Sequence, residues 1–114
     1  MITSTHPKRK TDAKLSEPEF QRIKDYIQGA VYCYCKNCTN RFAARDLFGG
    51  ENRDWNGTPL QLLYDWHQKN GSKDPFDRAA KDLGWLLLDV LDSDTQREFD
   101  ITEGYTHEYT FVSK

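Results

Sequence analysis

The residues with the greatest chemical reach sit close together: Cys33, Cys35 and Cys38 form a Cys-x-Cys-x-x-Cys cluster. Thiolates at that spacing can share one metal ion, with His67 or His107 as a fourth ligand. Two features weigh against such a site. Structural zinc sites draw two pairs of ligands from separate turns, whereas these three lie in one run. On a helix, positions 33 and 35 point about 200° apart, so both cannot hold one ion unless the helix ends early. The favoured reading is plain thiols, with Cys38, and as an option Cys35, suited to a buried face. A metal at Cys33, Cys35 and Cys38, or a disulfide or redox role, is the alternative. No apolar leader precedes the domain, so a reducing cytoplasmic setting is expected. No cofactor is expected.

Catalytic patterns are missing from the chain. Histidine occurs at His6, His67 and His107 alone. Asp65 and His67 are two apart, a spacing that does not bring helical side chains face to face. There is no Gly-x-Ser-x-Gly elbow, phosphate-binding loop, His-Glu-x-x-His pair or dinucleotide fingerprint. Gly49-Gly50 leads into a polar loop rather than a helix opening, so it does not cradle phosphate. The expectation is a protein that is not an enzyme.

The elements that must position these residues follow from length and pattern. A chain of 114 residues is one domain with one modest core. Its 13% aromatic content exceeds what a disordered chain carries. No apolar run approaches the roughly 18 residues of a membrane span. Residues 1–15 read as a flexible basic tail and 16–114 as the folded domain. Ser16 and Glu19 form a capping box opening a helix over about 17–38, with Phe20, Ile23, Ile27, Ala30, Val31, Tyr34 and Cys38 on one stripe. A short second helix is expected over 41–48 and stops at Gly49-Gly50. Thr58 and Pro59 open a third helix over 58–69, and Asp74 with Pro75 opens a fourth. The fourth is apolar nearly all round in its second half, which makes it the central helix. Period-two alternation over 96–102 and 105–112, around Glu103-Gly104, predicts a terminal β-hairpin. The fold class is therefore mainly α (α+β), four helices with a C-terminal hairpin. The second and third helices can form a helix-turn-helix with the hairpin as its wing, a winged-helix-like domain.

The run Phe42-Ala43-Ala44-Arg45-Asp46-Leu47-Phe48-Gly49-Gly50, the Trp55 that follows and the closing hairpin resemble small uncharacterised winged-helix-like proteins of phages and mobile elements. The resemblance covers about 42–112. It implies a mobile-element origin and winged-helix architecture, and it carries no catalytic residue.

Charge decides between the two binding readings. The net charge of −2 combines +3 over residues 1–15, +1 over 16–50 and zero over 51–73 with −6 over residues 74–114. Phosphate neutralisation supplies most non-specific DNA affinity, so an acidic wing is a penalty. The leading expectation is a protein–protein interaction with a host or phage protein that has a basic surface, as an inhibitor or regulator of a nucleic-acid-handling complex in the manner of anti-CRISPR proteins. Asp89, Asp92, Asp94 and Glu98 would supply charge, and Trp66 and Tyr105 aromatic anchors. The alternative is a winged helix-turn-helix regulator of transcription that binds duplex DNA. It would use Gln61, Gln68 and Lys69 of the third helix, Arg41, Arg45 and Arg53, and an arm of Lys8, Arg9 and Lys10.

Overall fold

The structure, a computed structural model, describes residues 1–3, 10–37, 41–49, 55–102 and 107–113. It is an α+β fold dominated by helix, in the order α1 (Glu17–Asn37), α2 (Ala44–Phe48), α3 (Gln61–Lys69), α4 (Pro75–Ser93), β1 (Glu98–Thr102) and β2 (Glu108–Ser113). No helix among the described residues is long and apolar enough to cross a membrane.

Local chemistry explains where most helices begin. The Ser16 hydroxyl accepts from the Glu19 N–H at 3.3 Å, and the Glu19 carboxylate accepts from the Ser16 N–H at 3.0 Å. This reciprocal box satisfies two otherwise orphaned donors. Asp74 caps α4 by accepting from the Asp77 N–H, with Pro75 at the first helical position. The third helix starts later than Thr58: the carbonyls of Thr58, Pro59 and Leu60 accept i→i+3 bonds from the first residues of α3. The Thr58 hydroxyl donates to the Trp55 carbonyl at 2.8 Å, and Leu60 stands at the N-cap of α3 with no side-chain cap bond.

Along α1, Ile23, Ile27, Val31 and Cys35 recur every fourth residue and are buried, a single stripe facing α4. The central position of α4 is as expected. It packs against α1, α2, α3 and β1 and buries Ala79, Leu83, Leu86, Leu87, Leu88, Val90 and Leu91.

Residues 41–43 depart from the expected second helix. Phe42 is extended and bridges Tyr109 antiparallel, with bonds of 2.8 and 2.7 Å exchanged between their backbones. Its ring is fully buried among Tyr34, Phe99 and Tyr109. The aromatic anchor outweighs the local helical pattern, so helix waits until Ala44. On the other side of the hairpin, Ile2 bridges Phe99 in parallel. β1 and β2 pair antiparallel, Phe99 opposite Phe111 and Ile101 opposite Tyr109. The isolated pair would be marginal, and these flanking bridges cover part of each open edge. The expected tail thus gives Ile2 and Ala13 to the core. Phe99, Ile101, Tyr109 and Phe111 share one face of the hairpin, and Tyr105 lies outside the described residues.

Candidate functional site

Two polar clusters stand out, one inside the molecule and one on its surface. The inner cluster centres on Asp82, one of the acids of the −6 segment 74–114. It is 1% exposed, and His67 beside it is 2% exposed. His67 Nε2 lies 2.7 Å from Asp82 Oδ2, and Nδ1 lies 3.2 Å from the Ser72 hydroxyl. With its proton on Nε2, the ring donates to Asp82 and accepts from Ser72. The Asp82 carboxylate also accepts the backbone N–H groups of Asp12 at 2.8 Å and Ala13 at 3.1 Å. One buried anion thereby ties the residue 10–15 strap, α3 and α4 together. Ser72, His67 and Asp82 have the connectivity of a nucleophile relay. The burial of His67 and Asp82, and the two backbone N–H groups that Asp82 also accepts, make the pair a structural pin.

The outer cluster lies where α1 meets the end of α4. Lys24 of α1 pairs with Asp89 of α4 at 3.1 Å. One turn on, Asp94 is buried rather than presented to solvent. Its carboxylate accepts the Gln96 N–H at 2.7 Å, the Arg97 N–H at 3.1 Å, the Arg97 guanidinium at 3.2 Å and the Gln28 amide at 3.4 Å. Burial pushes its pKa up, and these donors outweigh burial and hold it below the ordinary carboxylate value. Asp94 is therefore a buried pin of the α4–β1 turn, where an exposed contact residue was expected. Arg97 stacks its guanidinium over the Tyr32 ring at 4.6 Å. Two depressions open along this seam. One of about 640 Å³ is lined by Gln28, Gly29, Tyr32, Cys33 and residues 93–97. The other, about 310 Å³, adjoins it through Gln28 and Ser93 and adds Gln21, Lys24, Asp25, Asp89 and Val90.

The remaining candidates scatter. Asp92 is partly exposed on α4 and Glu98 is exposed on β1. Trp66 is half-buried beside His67, away from the α1–α4 seam. Arg41 is exposed and 3.9 Å from Glu108 of the hairpin, and Arg45 is exposed on α2. On α3, Gln68 and Lys69 are exposed, while the Gln61 amide donates to Asp65 at 2.9 Å. Lys10 is exposed; Lys8, Arg9 and Arg53 lie outside the described residues. Cys33 is exposed and Cys35 buried, on opposite sides of α1, and Cys38 lies outside the described residues. Burial pushes the Cys35 thiol up. Among the described residues, no three His, Cys, Asp or Glu side chains gather as a metal site.

Sequence reasoning missed Asp82, Tyr32 and Arg97. A signal for Asp82 was present: it falls on the apolar stripe of α4 between Ala79 and Leu86. Comparison with protein-family models, with curated proteins and with solved structures gives no match for this chain.

Proposed function

We propose that the chain is a non-enzymatic binding module on a winged-helix-like frame that recognises another protein through an acidic surface at the end of α4 and on the hairpin. A partner with a basic surface fits it, and proteins that handle nucleic acid carry such surfaces; an inhibitor of phage or mobile-element origin is the form this reading takes. The observation that carries it is the engagement of Arg97. Between Gln96 and Val112 it is the hairpin's basic residue, and it is turned onto Asp94 and Tyr32. Glu98 and Asp100 are exposed acidic residues of β1, with Asp89 and Asp92 nearby in sequence on α4. Such a surface repels phosphate and speeds encounter with a basic protein.

The test is charge reversal. Asp89→Lys, Asp92→Lys and Glu98→Lys combined should abolish capture of a basic protein from host lysate, read by mass spectrometry against wild type, with the circular dichroism spectrum unchanged. Equal capture by the folded variant would reject this surface.

A further inference from the structure

The pin formed by His67 and Asp82 leaves its third member, the Ser72 hydroxyl, partly exposed. The place of Ser72 follows from how α3 ends. Asn70 is the C-cap, and Gly71 after it takes a left-handed φ of 75°. The Gly71 N–H then bonds to the Gln68 carbonyl at 3.2 Å, and the Ser72 N–H to the His67 carbonyl at 3.0 Å. This paired closure folds Ser72 back over the last turn of the helix. Its backbone holds the residue whose ring its side chain meets.

Three features give that hydroxyl a chemistry. With the ring proton on Nε2, the Nδ1 lone pair faces Ser72 Oγ at 3.2 Å, within reach of a general base. On the far side of the ring, Asp82 Oδ2 lies 2.7 Å from Nε2, where its charge stabilises the imidazolium formed when Nδ1 takes a proton. Asp82 is itself held by the N–H groups of Asp12 and Ala13, so the base is oriented and the group that orients it is fixed. Positive charge adjoins in the chain: Lys73 is exposed, and the N-terminus of α4 opens at Pro75. That is the sign a developing oxyanion needs.

We infer that Ser72 is a modification site, an activated serine that takes the acyl group of an activated ester. Ser72 Oγ attacks the ester carbonyl and forms the Oγ–C bond, while its proton passes to His67 Nδ1. The adduct then breaks its bond to the leaving oxygen, which carries off the proton from Nδ1. The products are an O-acyl serine and a free alcohol. Asp82 is the positioning residue. One equivalent of ester suffices and no turnover is involved, so this inference stands beside the acidic-surface reading without depending on it.

The probe is a fluorophosphonate, which stands in for the ester and leaves a stable adduct: an Oγ–P bond forms, the P–F bond breaks, and fluoride and the Ser72 proton depart. The full chain is incubated with it, and the adduct on each serine is located and timed by peptide mass spectrometry. Ser72 should be labelled about a hundredfold faster than Ser16 or Ser93, although both are more exposed. In the double variant His67→Phe with Asp82→Leu, Ser72 keeps its hydroxyl and loses its base. Its labelling should fall to the rate of Ser93, with circular dichroism reporting the fold. A hydroxyl that only satisfies the ring would react no faster than Ser93 in the wild-type chain, and that result would overturn the inference. So would the lack of any adduct, or an undiminished rate at Ser72 in the folded double variant.

Discussion

Asp82→Ala is the perturbation that reaches furthest into this fold. The carboxylate receives three donors, His67 Nε2 and the backbone N–H groups of Asp12 and Ala13, and it is 1% exposed. Hydrogen bonds to a charged acceptor contribute about 1.5–3 kcal/mol each, less the cost of burying the charge. Truncation leaves His67 and the Ala13 N–H buried without an acceptor. Removing one member of such a buried pair costs about 3–5 kcal/mol. Against a total stability of about 5–15 kcal/mol, that is a large share. Urea unfolding followed by circular dichroism should show the midpoint falling by about 2 M, taking a slope of about 2 kcal/mol per M. Asp77→Ala is the comparison: its exposed pair with Lys81, 3.3 Å apart, should cost no more than about 1 kcal/mol. The apolar double variant His67→Phe with Asp82→Leu should cost less than the sum of its single substitutions, because it removes both stranded groups of the pair. A midpoint for Asp82→Ala no lower than that of Asp77→Ala would refute the pin.

Stability should depend on pH at both extremes. Asp94, held below its usual range by its donors, contributes stability that is complete above the unfolded carboxylate value, about 3.9, and is lost as pH falls through the folded value. Asp94→Asn should therefore melt lower at neutral pH and with a flatter acid limb; parallel limbs would contradict this. Tyr109 runs the other way: burial pushes its phenol up to about 12. Its contribution holds below the unfolded value, about 10, and is lost as pH rises from there towards 12, which phenolate absorbance during alkaline unfolding will register.

The helices and the hairpin were legible because their signals are local. Ser16 with Glu19 and Asp74 with Pro75 announce helix starts within four residues, and the four-residue recurrence of Ile23, Ile27 and Val31 needs no knowledge of α4. Phe42 was not legible as a strand residue, because its partner Tyr109 is distant in sequence and nothing in Arg41–Ala43 itself resists helix. The acids show the same limit. In composition Asp82 and Asp94 look like Asp89 and Asp92, yet distant or backbone donors decide that the first two are interior. Ile2 and Ala13 are single apolar residues in a polar stretch, and only the core they meet gives them meaning. The larger depression depends on α1 and residues 93–97 coming together, which no run of sequence displays.

The exposed acidic surface is proposed to select a basic protein over nucleic acid. Fluorescence anisotropy of a labelled duplex DNA, titrated with the chain at about 50 mM salt and again at about 200 mM, tests it most directly. No binding is expected at the lower salt. Tight binding that weakens steeply as salt rises would contradict it, and would move the functional surface to Arg41, Arg45, Lys69 and the Lys8–Lys10 arm.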